Sequence, residues 1–103
     1  MPISKKWSKM NRSKIKRSAP TDGGVYELTS FGEQRALYIG STGNLQRRLL
    51  EHLDDKDPNK FRFKEAGFLQ SPGSMEQDAF DNYEDKHGKT PPWNTQDPRT
   101  GWL

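Results

Sequence analysis

A small α/β (α+β) domain, built on a three-stranded, mainly antiparallel sheet flanked by helices, is predicted by three observations in this 103-residue chain. Two short apolar runs, Gly24-Val25-Tyr26 and Tyr38-Ile39-Gly40, flank a Gly-bearing segment, Ser30-Phe31-Gly32-Glu33-Gln34, in the manner of a β-hairpin. Phe61 to Ala66 alternates apolar and charged residues, as a half-buried strand does. Leucines at 45, 49, 50 and 53 recur at helical spacing, and a second helical pattern runs from Ser74 to about His87.

Residues 1–18 form a basic arm. They hold seven cations (Lys5, Lys6, Lys9, Arg12, Lys14, Lys16 and Arg17) and no acid, so a formal charge of +3 on the whole chain leaves −4 on residues 19–103. A basic segment on a mildly acidic body points to a polyanion, most simply nucleic acid. Trp7 and Ile15 give the arm two apolar anchors for docking on the domain. Ser18-Ala19-Pro20-Thr21-Asp22-Gly23 reads as the turn-rich linker that ends the arm.

Strands are predicted near Val25–Thr29 and Ala36–Ser41. A loop closing symmetrically on Gly32 sets Tyr26 opposite Tyr38 and Leu28 opposite Ala36 on one face, with Val25, Leu37 and Ile39 on the other. Asn44 is the expected N-cap of a helix from Leu45 to Leu53. Arg48 and His52 flank its leucine stripe one turn apart, and Arg47 and Glu51 read as an exposed pair. Asp54 to Lys60 is a polar loop. Ser74-Met75-Glu76-Gln77 has the form of a capping box, and Gly88 is a fitting helix stop. Thr90-Pro91-Pro92-Trp93-Asn94 is rigid and extended, followed by a loop-like tail.

Composition excludes several classes of function. An apolar fraction of 29% against 30% charged residues permits only a modest core in a single domain. No apolar run approaches membrane-spanning length and no signal-peptide core follows the basic start, so no membrane partner and a cytoplasmic location are expected. The absence of cysteine removes disulfides, thiolate nucleophiles and zinc–thiolate sites.

The residues resemble the GIY-YIG nuclease family. Gly24-Val25-Tyr26 and Tyr38-Ile39-Gly40 are similar to its two strand motifs, with Val for the usual Ile in the first. Ser41-Thr42-Gly43-Asn44-Leu45 is similar to the loop that follows, and Arg48 and His52 fall where the family's helix carries its arginine and, in several branches, a histidine. Pro91-Pro92-Trp93-Asn94 resembles the closing segment. The resemblance implies a GIY-YIG-like nuclease domain over residues 19–103 and a single metal-binding glutamate on the later helix. The family pattern sets apolar residues around that glutamate. Glu76 has Met75, Ala79, Phe80 and Tyr83 in those places, whereas Glu84 has His87, Gly88 and Pro91 after it and fits poorly.

Phosphodiester hydrolysis needs an aimed nucleophile, stabilisation of added negative charge and help for the leaving oxygen. On this resemblance Glu76 binds the divalent metal, Mg²⁺ or Mn²⁺, since Mg²⁺ needs only one or two carboxylates. Arg48 holds the scissile phosphate with its planar fork. Tyr26 is the candidate general base or water-positioning group, a poor base unless neighbours lower its pKa. Tyr38 shares its proton, His52 relays or accepts one, and Asn94 is a supporting or phosphate-contacting amide. The expected function is metal-dependent DNA cleavage, with target choice left to the arm or a recruiting protein. The alternatives are a catalytically inactive nucleic-acid-binding module of the same fold, and a small basic ribonucleoprotein component.

Overall fold

The sequence patterns resolve into seven elements in the computed structural model, which describes residues 6–55, 58–67 and 70–94. The expectations placed on Lys5, on the middle of the 54–60 loop and on the tail after Asn94 lie outside the described residues. In chain order the elements are β1 (Ser8–Lys9), α1 (Arg12–Ser18), β2 (Gly24–Thr29), β3 (Tyr38–Thr42), α2 (Leu45–Asp55), β4 (Lys60–Glu65) and α3 (Pro72–His87). All strand pairs are antiparallel and the order across the sheet is β1-β4-β2-β3.

The sheet therefore has four strands rather than the expected three. The additional one comes from the basic segment, where Ser8 and Lys9 pair with Phe61 and Lys60. Its anchors explain why it stays. Ile15 on α1 is fully buried in the cluster of Tyr26, Leu28 and Phe61, a burial worth roughly 1.5–3 kcal/mol. Trp7 packs against the opposite face of the sheet, with the Arg62 guanidinium 4.1 Å from its ring centroid.

Alternation along the strands builds two cores. Tyr26, Leu28, Tyr38, Phe61 and Phe63 point to the side covered by α1 and α2, where Leu45 and Leu49 meet them. Val25 and Ile39 point to the side covered by α3, against Met75, Ala79, Phe80 and Tyr83. Buried Glu27 on that side is answered by Arg62 at 2.6 Å on the next strand. Burial raises the Glu27 pKa, and the guanidinium partly offsets the rise.

The hairpin register differs from the symmetric expectation by two residues. Tyr26 faces Gly40 and Leu28 faces Tyr38. The cause is a longer loop: Glu33 N–H closes a turn on Ser30 O, Thr29 Oγ1 donates to Arg35 O, and only then does Leu37 N–H reach Leu28 O. Ala36, outside the ladder, joins the α3-side core instead of the tyrosine face. Because the slip is even, Tyr26 and Tyr38 still share a face, now as diagonal neighbours with ring centroids 6.1 Å apart.

Helix ends follow local chemistry. Asn44 Oδ1 accepts from Arg47 N–H at 3.0 Å, the expected N-cap of α2. α3 starts earlier than the Ser74 box suggests: Pro72 occupies its first turn, and Ser71 Oγ is the cap, accepting from Ser74 N–H. Gly88 ends α3 in the left-handed conformation (φ 76°). Among the described residues, no helix is long and apolar enough to cross a membrane.

Candidate active site

Four of the singled-out side chains meet on the α2 side of the sheet. Tyr26 comes from the central strand β2, Tyr38 from the start of the edge strand β3, and Arg48 and His52 from successive turns of α2. The Leu45–Leu49 stripe presses α2 onto the sheet and turns His52 inward, where it is fully buried. Tyr26 Oη lies 2.7 Å from His52 Nε2. The imidazole centroid is 5.4 Å from the Tyr26 ring and 5.2 Å from the Tyr38 ring. Two phenols and one imidazole thus form a closed aromatic triangle.

Gly40 makes this packing possible. A Cβ at that position would stand 2.5 Å from Tyr26 Oη and 2.6 Å from its Cζ, so only glycine lets the ring lie across the β3 backbone. Gly24 serves β4 in the same way, since a Cβ there would collide with Lys64 O and meet Leu45 Cδ1 at 3.0 Å.

Electrostatics assigns different conditions to the cluster's members. Burial pushes the Tyr26 hydroxyl well above the ordinary phenol range and the neighbouring Tyr38 adds to this, while the Arg48 guanidinium pulls it part of the way back. Tyr26 is therefore protonated at neutral pH, and its hydroxyl shares a hydrogen bond with His52 Nε2. Arg48 is half-exposed and pairs with Glu51 at 2.8 Å. That bond, with smaller contributions from Tyr26 and Tyr38, raises the Arg48 pKa against the effect of its partial burial, and it lowers that of Glu51. The expected Arg47–Glu51 pairing is thus replaced by one between Arg48 and Glu51, which leaves Arg47 outward.

Glu76 belongs to the other layer. It stands half-buried on the second turn of α3, beside the core residue Met75, and Ser41 Oγ donates to its Oε1 at 2.5 Å. Ser41 is three residues beyond Tyr38, about 10 Å along the strand, and points to the opposite face. The phenol cluster and the carboxylate therefore flank the edge strand β3. Ser41 was not singled out from the sequence as a site residue. Its signal was the alternation of β3, which places it on the side that α3 covers.

Asn94 grips the same strand. Its Oδ1 accepts from Ile39 N–H at 2.9 Å and its Nδ2 donates to Ile39 O at 3.0 Å, while Trp93 N–H donates to Leu37 O. The amide behaves as one more strand residue on the edge of the sheet. Of the basic residues, Lys6, Lys9, Arg12, Lys16 and Arg17 are exposed and Lys14 is half-buried. Those of α1 lie beside α2, because Gln46 Nε2 donates to Lys16 O and Ala19 O.

An oxygen-only donor set on one carboxylate suits a hard divalent cation that keeps most of its waters. Glu76 with the Ser41 hydroxyl is such a set, and among the described residues no group of three or more His, Cys, Asp or Glu offers another.

The chain resembles known proteins along both sequence and fold. Residues 1–78 match the model of a family described as a domain of unknown function, DUF7508, a span that takes in β1 and α1. A stretch of 46 residues is 46% identical to the structure-specific endonuclease subunit SLX1 of Debaryomyces hansenii, covering 44% of this chain and 13% of that protein. The fold is similar to the crystal structure of the GIY-YIG N-terminal endonuclease domain of UvrC from Thermotoga maritima bound to its catalytic divalent cation. For a point mutant of that domain the TM-score is 0.54 at 20% identity, over 69% of this chain and 90% of the other. For the magnesium-bound form it is 0.50 at 23% identity, over 80% and 97%. The chain belongs to the DUF7508 family, and its fold is that of a GIY-YIG endonuclease domain.

Proposed function

We propose that this protein is a divalent-metal-dependent endonuclease that hydrolyses phosphodiester bonds in DNA. The observation that carries the reading is the meeting of Tyr26, Tyr38, Arg48 and His52 from three elements at one sheet edge, with Glu76 on the other side of that edge. Arg48 binds the scissile phosphate through its guanidinium and remains cationic throughout. Tyr26 is too high in pKa to act as a base alone, so it works with His52. As the Tyr26 oxygen takes a proton from the attacking water, its own proton passes to His52 Nε2, and Arg48 offsets the negative charge that builds on the phosphate. Tyr38 orients the pair by its ring and hydroxyl. Glu76, steadied by Ser41 across the β3 edge from Arg48, would hold Mg²⁺ or Mn²⁺, and the bound ion would supply Lewis-acid stabilisation of the phosphate and leaving oxygen. Asn94 holds the strand that carries both halves of the site. The exposed cations of residues 1–18 supply backbone affinity, and a recruiting protein supplies the choice of target.

Supercoiled plasmid incubated with the protein is expected to be nicked with Mg²⁺ or Mn²⁺ and left intact after chelation. Glu76→Ala should abolish nicking while DNA retention and melting temperature hold. Full cleavage by that variant would reject Glu76 as the metal ligand and direct the search to Glu84. Binding without any cleavage by the parent would favour the inactive module, for which the high pKa of Tyr26 is the supporting observation.

A further inference from the structure

Among the described residues, the sheet face that carries Val25 and Ile39 is covered by a helix on only one half. α3 packs on β3 and β2, whereas β4 and β1 keep Lys60, Arg62 and Lys64 half-exposed and Lys9 exposed. Alternation puts the three β4 cations on this side, because Phe61 and Phe63 belong to the opposite core. The register sets Lys9 beside Lys60. Cations thus recur at every second residue, about 7 Å apart. Between this row and the C-terminal half of α3 lies a cavity of about 610 Å³, lined by Glu27, Arg35, Arg62, Tyr83, Lys86 and His87 among others.

Acids on this side are largely spent. Glu27 is committed to Arg62 at 2.6 Å and Glu33 to Arg35 at 3.3 Å. The α3 wall of the cavity carries Asp85 and Lys86, while Lys9, Lys60 and Lys64 lie on the strands beside it. Trp7, half-exposed beside the row and stacked on Arg62, adds an aromatic plane.

We infer that this trough is a second nucleic-acid-binding surface, on the opposite side of the sheet from the tyrosine cluster, which seats a phosphodiester backbone along Lys9, Lys60 and Lys64. Lysines from two adjacent strands on one face of the sheet suit a polymer with one negative charge per unit. The inference rests on the DNA-binding part of the proposed function and is independent of cleavage. Duplex DNA bound at both surfaces would pass from one face of the sheet to the other around its edge, or two segments would be held at once.

The experiment uses the full chain, labelled mixed-sequence duplex DNA and chelator throughout, with anisotropy titrations between about 50 and 200 mM salt. Lys60→Gln/Lys64→Gln is expected to reduce the slope of log affinity against log salt by about two, and affinity at 0.1 M salt by roughly tenfold or more. Lys60→Arg/Lys64→Arg should restore both, and Lys86→Gln on the facing wall should change them in the same direction as the Gln pair. An unchanged slope in the Gln pair overturns the inference, as does a parent that fails to bind duplex DNA. Stronger competition by polyglutamate than by an equal charge of DNA also overturns it, in favour of an acidic peptide. A parent that binds through Lys60 and Lys64 yet never nicks plasmid with Mg²⁺ rejects the nuclease reading and leaves the trough standing.

Discussion

At the scale of single residues, Gly40 and Tyr26 depend on one another. The Tyr26 ring occupies the space that a side chain at position 40 would need. Gly40→Ala should cost about 1–3 kcal/mol of stability through overpacking. Even a small displacement of the phenol should lower nicking by about 10²-fold, and melting curves with plasmid assays would separate the two effects. Tyr26 also imposes a pH dependence. Its folded pKa lies above its unfolded value of about 10, so the folded state keeps the proton that the unfolded state gives up. The associated stability is complete below that pH and is lost as pH rises beyond it. The parent's melting temperature should therefore fall above about pH 10, and Tyr26→Phe should fall less steeply. Equal slopes would assign the effect to other groups.

At the scale of elements, β3 is the piece on which everything depends. It carries Tyr38 toward one face, Ser41 toward the other and Gly40 between them, yet it is the sheet's edge. Asn94 and Trp93 close that edge with three hydrogen bonds to Leu37 and Ile39. Asn94→Ala removes two of them and leaves the Ile39 groups to water, at a cost of about 1–3 kcal/mol. Amide exchange at Ile39 should accelerate, and catalysis should fall more than DNA binding. Ordinary protection at Ile39 in this variant would show that the edge is held by something else.

At the scale of the whole molecule, the basic segment is part of the domain through β1 and α1. Deleting residues 1–18 removes the buried Ile15 and an edge strand, so a loss of roughly 2–5 kcal/mol is expected, visible as a lowered denaturation midpoint. Such a deletion confounds binding with folding. Arg12→Gln/Lys16→Gln/Arg17→Gln removes exposed charge alone. This triple variant should melt like the parent and reduce the salt slope of DNA binding by up to about three. A marked fall in its melting temperature would mean that these cations are structural.

Much of this organisation was legible in the linear chain, because it depends on local rules. Period-2 and period-3.6 patterns located β2, β4 and α2, and the choice of Asn44 and Gly88 as helix ends needed only their immediate neighbours. Two misreadings were also local in origin: Ser71 displaced Ser74 as the cap because Pro72 cannot donate, and the hairpin slipped by two because the loop used extra side-chain bonds. Other features are set by long-range pairing that no pattern encodes. The capture of Ser8 and Lys9 by β4, the Ser41–Glu76 contact and the clamp of Asn94 on Ile39 each join residues far apart in the chain. Type and spacing of residues were enough to single out the candidate groups. Only the packing of two helical layers on opposite faces of one sheet decided that the carboxylate and the phenols stand on either side of a single strand. Burial within that packing, an outcome of the whole fold, is what keeps Tyr26 protonated.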